Sequence, residues 1–356
     1  MLPKLRATSI APRLVNRDFD SLAAQQGSTI NVPLPPTIAT NAVTASATPP
    51  ATADTILATA PVALDQWVEA PFYMTDKDMM EVVNGGVPAC AESAMSALVD
   101  TIDAFILTKL GQGAGAATGT AATAPFATTA LALTPGKLLN DHRVSRQNRH
   151  VVMDAAAELN LLSLEAFSNS QFTGDVTAMI DGAFQGNRRV GSQWWLDQNV
   201  ATHTAGTGTG YQTNGALSVG DTTITADTGS GTIIVGDVIS FAGDTTNKYV
   251  VSEALGGGSF VINAPGIKVA IADNNAITVN ASHVSNVAFA RESMVFASRP
   301  FQASSAAIAS RVMADPVSGL ALRLEVNREH KRDRWSLDAL YGGSVVRPEG
   351  VIKILG

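Results

Sequence analysis

One segment constrains the fold more than any other. Residues 87–110 read VPACAESAMSALVDTIDAFILTKL. Met95, Leu98, Val99, Ile102, Phe105, Ile106 and Leu110 recur there at spacings of three and four. That pattern is one apolar face of a helix about six turns long. Pro88 stands where a first-turn proline fits, and Gly111 supplies the stop. Just upstream, Thr75 followed by Asp78 has the spacing of a capping box, so a short helix is expected over DKDMMEVV, ended by NGG.

The chain around this helix is mostly extended in pattern. INVPL and APVALDQWVEAPFYMT alternate like strands on either side of a Pro/Thr/Ala-rich tip, which predicts a long protruding hairpin over 31–70. Residues 1–30 read as an arm. GQGAGAATGTAATAP (111–125) has the composition of a flexible loop. A short helix is expected from Thr134-Pro135 through GKLLNDH, then a buried strand HVVMDA, a helix AELNLLSLEAF, and a turn and strand in GNRRVGSQWWLDQNV. From 201 to 283 Gly, Thr, Val, Ile, Asp and Asn dominate and turn signals recur every few residues, the signature of an all-β unit interrupting an α/β pattern. The C-terminal part reads as a β-meander. LALRLEV alternates Leu320, Leu322, Leu324 and Val326 with Ala321, Arg323 and Glu325, REHKRDR forms its tip, and LYGGSVVRPEGVIKILG closes it.

With 356 residues, two or more lobes are expected. Apolar residues make up 46% and charged residues only 15%, so either large areas are covered by other copies or the surface is polar and uncharged. The net charge of −7 argues against a sequence-independent DNA binder, which works by displacing counterions with Lys and Arg; it leaves containment of DNA open. A single cysteine, Cys90, excludes an intrachain disulfide. The N-terminal residues have no apolar core of a signal peptide, and no apolar run reaches membrane-spanning length.

Motifs that carry chemistry are missing. Gly136-Lys137 is followed by Leu138, so it is not a phosphate-binding loop, and GQGAG follows a helix rather than a strand. The five histidines (142, 150, 203, 283, 330) are scattered, so neither a metal nor a cofactor is expected. Cys90 lies in the first turn of the long helix, where thiol pKa falls, yet a packed, inert thiol is the simpler reading. The basic loop Arg143, Arg146 and Arg149 with His142 and His150 reads as solvated or paired with acids. Trp194-Trp195 reads as core or interface packing, and Asn280-Ala281-Ser282 as a sequon without consequence. The run 328–334 mixes signs and is either a solvated tip or an ionic contact between subunits.

The order of these elements resembles the HK97-fold major capsid proteins of tailed bacteriophages, and more narrowly the P22-type coat protein family. The resemblance rests on LDQWVEAPFYMTDKDMMEV (64–82), VPACAESAMSALVDTIDAFIL (87–107), VGDVISFAG (235–243), SNVAFARESMVFAS (285–298) and DPVSGLALRLEV…WSLDALYGGSVVRPE (315–349), five motifs in register across nearly the whole chain. Residues 37–60, 111–125 and 201–216 have no counterpart.

The resemblance implies an α+β, HK97-like capsid fold with an inserted all-β domain. Its parts would be an N-terminal arm (1–30), an E-loop (31–70), a P-domain with spine helix (71–115), an A-domain (116–200), the inserted domain (201–283), an A-domain return (284–300) and a P-domain meander (301–356). The closing tail would complete the meander sheet beside the spine helix. The implied function is a non-enzymatic shell protein. Its copies form pentamers and hexamers of an icosahedral virion around double-stranded DNA without sequence-specific binding, assembled in the host cytoplasm, with no membrane role. Partners would be a separate scaffolding protein, a portal and a decoration protein. Contact candidates between subunits are Arg328, Lys331, Arg332 and Arg334 of the tip, Asp78 and Glu81 near the short helix, and Asp244 and Lys248 in the inserted domain. An encapsulin-like cargo shell is the first alternative, and a β-rich adhesin or carbohydrate-binding protein the second. Residues 31–70 hold no lysine, so a covalent cross-link from a hairpin lysine is excluded.

Overall fold

The computed structural model describes residues 9–19, 29–36, 38, 40, 45, 57–81, 86–169, 184–305, 307–315 and 320–356. Most of the expected arm and the hairpin tip at 41–44 and 46–56 lie outside them. The strands Thr29–Pro33 and Thr59–Ala63 pair antiparallel, with Ile30 opposite Val62. Ile30, Val32 and Val62 are buried and pack near Leu64, Val295 and Ala297, which roots this pair on the body of the protein.

The long helix runs Gly86–Gln112. Met95, Leu98, Val99, Ile102, Ile106 and Leu110 are buried, and Phe105 is half-buried with its ring edge-on to Tyr341 at 5.3 Å. Each such side chain contributes roughly 1.5–3 kcal/mol on burial. The opposing surface is the meander sheet: Ala309–Ala314, Ala321–Glu329, Arg332–Val345, and the lead strand Gln66–Thr75, which pairs with Arg332–Val345 from Arg332↔Thr75 to Tyr341↔Gln66. Met294–Arg299 pairs with the far end of the same long strand. The lead strand's pattern follows from alternation: Trp67, Glu69, Pro71 and Tyr73 are exposed, while Val68, Ala70, Phe72 and Met74 face inward. Thr75 and Asp78 form the expected box, with Thr75 Oγ1 donating to Asp78 Oδ2 at 2.7 Å and Asp78 N donating back at 3.2 Å.

Cys90 is exposed, so the expected packed thiol is corrected. The expected flexible loop after the helix is a strand instead. Ala116–Gly119 pairs parallel with the tail strand Val351–Leu355, Ala116 opposite Ile352. The small residues there serve close approach rather than freedom: a Cβ on Gly115 would lie 2.5 Å from Ala264 O and 2.6 Å from Pro348 O. The tail is corrected in the same way. It does not complete the meander sheet. It is an inner strand of a second, 12-stranded sheet among the described residues, between Ala116–Gly119 and His283–Ala290, and all five of its residues are buried.

That second sheet continues from His283–Ala290 to Arg149–Met153, Ser192–Leu196 and Gln185–Arg189. Helix Thr129–Asp141 covers it, starting five residues before the expected Thr134 because Thr128 caps it, its hydroxyl accepting from Leu131 N at 3.3 Å; Pro135 is then inside the helix and buried. The helical segment after the buried strand is two pieces, Ala155–Ser163 and Glu165–Ser168, and the Trp segment is a hairpin of two strands. Trp194 is buried edge-on to Phe126 and Phe167. Arg149, from the basic loop, is buried and donates to Asn140, Val144 and Ser145.

Between 211 and 277 a separate cluster forms around Tyr211, Ile224, Phe241, Tyr249, Phe260 and Ile271. The antiparallel pair Val238–Phe241 and Asp244–Gly256 joins it to the body. Ile239, Phe241, Tyr249 and Val251 face the local cluster, whereas Val238 and Val250 pack into the core of the long helix. Lys248 pairs with Ala117, so this β region extends the second sheet.

Candidate intersubunit surface

The outer face of the meander carries two of the contact candidates, Arg332 and Arg334, and its tip carries Arg328 and Lys331. Strand alternation puts Arg334 opposite Tyr73, Arg332 opposite Thr75 and Asp338 opposite Glu69, all on the face turned from the long helix. Neighbouring charges of opposite sign then find one another. Arg334 pairs with Glu69 at 2.6 Å and Arg332 with Glu329 at 2.5 Å, the Arg332 guanidinium lying 4.4 Å from the centre of the Tyr73 ring. Arg328 bridges Asp76 at 2.6 Å and Asp333 at 2.9 Å. These bonds hold the Asp76 carboxyl below its ordinary range and raise the Arg328 guanidinium. Asp78 is likewise lowered, by the Thr75 hydroxyl and backbone. The groups are well exposed, so water screens them and each pair is weak.

Each candidate thus has a definite place. Arg328, Arg332, Arg334 and Asp78 are engaged within the chain, and Glu81 pairs with Lys77 at 3.5 Å. Lys331 sits at φ +59 in the tight turn after Glu329, exposed, with its carbonyl accepting from Asp76 N. Its ammonium makes no ion pair among the described residues. Asp244 is buried within the chain. Burial raises its pKa, but bonds from Tyr249 and Asn247 outweigh this and leave it lowered. Lys248 Nζ donates to Gly119 O at 2.5 Å and is lowered by burial. The structure does not bring Asp78 or Glu81 to the arginines of the tip by any ion pair among the described residues.

The reading of charges missed an aromatic group on the same face. Trp67 is 67% exposed, yet its Nε1 donates to Asp338 Oδ2 at 3.2 Å. Arg323 clamps Asp338 through Nε at 3.1 Å and Nη2 at 2.6 Å, and lies 4.6 Å from the Phe301 ring centre, which is 5.5 Å from that of Trp67. The Asp338 bond raises the Arg323 guanidinium. Tyr73 is also exposed. The signal was present in DQWVEAPFYMT: Trp67 and Tyr73 are an even number of residues apart, hence on one face. Pro71 in the middle marks an edge strand, whose outer side has no partner among the described residues.

Among the described residues no group of three or more His, Cys, Asp or Glu side chains is arranged to hold a metal ion, and no helix is long and apolar enough to cross a membrane. A cleft of about 580 Å³ lies between the 142–148 loop, the 290–293 turn and residues 346–350.

No family model matches this sequence, and no curated protein matches it. Solved structures do. A chain from Mycobacterium phage Che8 is similar with a TM-score of 0.56 and 17% identity, over 98% of this chain and 91% of that one. The capsid structure of cyanophage P-SCSP1u gives a TM-score of 0.55 and 10% identity, over 98% and 88%. A chain from Gordonia phage Cozz gives 0.50 and 10%, over 98% and 86%. The chain therefore has a mixed α+β fold of the kind found in phage capsids.

Proposed function

We propose that this chain is the major capsid protein of a tailed bacteriophage, of the HK97 fold and the P22-type subfamily. Copies assemble as pentamers and hexamers into an icosahedral shell around double-stranded DNA, in the cytoplasm of the host, with a scaffolding protein, a portal and a decoration protein as partners. The observation that carries this reading is the fold, shared over 98% of the chain with a cyanophage capsid structure. The role is structural rather than enzymatic. In this reading the hairpin is the E-loop, the long helix the spine of the P-domain, the second sheet the A-domain, and residues 201–283 the inserted domain. The closed ionic ladder leaves Trp67, Tyr73 and Lys331 as the groups that meet a neighbouring subunit, since exposed aromatics beside a free strand edge gain most from being covered. Negative-stain microscopy of the purified chain, alone and with scaffolding protein from a related phage, tests it. Closed shells of uniform size are expected. Soluble monomers under both conditions, together with shell-free lysates from the native host, would sink the proposal.

A further inference from the structure

Lys353 is the third residue of the tail strand and is 1% exposed. Its Nζ donates to Gly236 O at 2.8 Å, and no carboxylate lies within ion-pair distance of it among the described residues. The nearby Asp237 is already engaged: it accepts from His203 Nε2 at 2.8 Å, Gly206 N at 3.0 Å and Ile234 N at 2.9 Å. His283, whose ring centre is 5.4 Å from that of His203, is held neutral by burial and by the Lys353 charge, which push it down to about 4. Burial likewise brings Lys353 down to about 7, against the opposing pull of Asp237. A buried ammonium has three N–H donors, and one has an acceptor among the described residues.

A cavity of about 100 Å³ is lined by Lys353 together with Thr108, Gln112, Thr202, His203, Thr204 and Ser285. It is several times the roughly 30 Å³ share of one water. A water would satisfy one donor but not the charge. A cation is repelled by Lys353, and an apolar guest is mismatched to four hydroxyl side chains and an amide. We propose that this cavity binds a small oxyanion, of the class of sulfate, phosphate or a simple carboxylate, held by the Lys353 ammonium and the surrounding hydroxyls. The anion locks the seam where the tail strand, the end of the long helix and the 236–237 turn meet. This site is independent of the capsid reading.

Sulfate is the probe, because it does not titrate near neutrality. Calorimetric titration of the full chain at pH 7 should show saturable binding that weakens about tenfold per pH unit above 7, as the lysine loses its proton. Lys353→Met should abolish it. Gly111→Ala places a methyl 3.5 Å from Ser285 Cβ and 4.0 Å from Lys353 Cε, ordinary contacts that narrow the cavity without disturbing the fold, and should weaken binding several-fold. Equal sulfate response in the wild type and Lys353→Met, or binding indifferent to pH between 7 and 9, overturns the site and leaves only a general salt effect. Should Lys353→Met fail to fold, the wild-type pH profile and Gly111→Ala decide it.

Discussion

Asp103 sits midway along the long helix, fully buried beneath the short N-terminal helix Ala11–Leu14. Its Oδ2 accepts from Ile10 N at 3.1 Å, and its Oδ1 has no partner. Burial, with the nearby Asp197 charge adding to it, raises the carboxyl from 3.8 to about 8; the Ile10 bond and Arg13 pull the other way. Between those values the folded state holds a proton that the unfolded chain has released. The sign follows: stability is full below 3.8 and is lost as pH rises towards 8. Each unit is worth about 1.4 kcal/mol, so the ceiling at pH 7 is about 4 kcal/mol. Asp103→Asn keeps an acceptor for Ile10 N–H, and its new amide has the orphaned Asp197 Oδ2 in its neighbourhood. Urea unfolding of the unassembled subunit at pH 4, 5.5 and 7 reads the difference between variant and wild type. That difference should be near zero at pH 4 and grow to at least about 2 kcal/mol in favour of Asn at pH 7. A difference independent of pH would refute the reasoning, because it would show that the carboxyl holds no proton in the fold.

Other outcomes follow from single geometries. Val190 has φ +50 in the two-residue turn between Arg189 and Ser192 and is 61% exposed, so Val190→Asn should stabilise the subunit by about 1 kcal/mol, read from the urea midpoint at unchanged slope. Gly115→Ala forces a methyl against two backbone carbonyls and should abolish soluble folded protein. Arg332→Ala with Arg334→Ala removes two pairs closed within the chain; it should change subunit stability by less than about 1 kcal/mol, read by urea unfolding, and high salt should mimic it in part. On the proposed capsid reading, assembled particles boiled in denaturant should run as a single monomer band, since a hairpin without lysine cannot supply an amide cross-link.

The long helix, the lead strand and the Thr75 box were legible because their signals are local: spacing of three and four, alternation, and a cap three residues from its partner. What was misread depended on distant neighbours. AGAATG has a linker's composition, but Gly115 is required by the carbonyls of Ala264 and Pro348, which no local window contains. VIKIL reads as a strand, yet nothing in five residues says which sheet receives it. The charged tip was legible as a set of residues but not as a circuit, because Arg334 and Arg328 close on Glu69 and Asp76, some 250 positions earlier.

The tail strand's place also bears on how the chain reaches its final form. Ala116–Gly119 and Val351–Leu355 lie side by side, and the second sheet cannot close between Ala116–Gly119 and His283–Ala290 until Val351–Leu355 arrives. Such non-local pairing makes folding slow, since loop closure must precede any gain from the contact. Until then two strand edges and the apolar face of the long helix stay open to water and to other chains. The subunit is therefore most prone to wrong association during this waiting period, and a protein that covers open edges would protect it then.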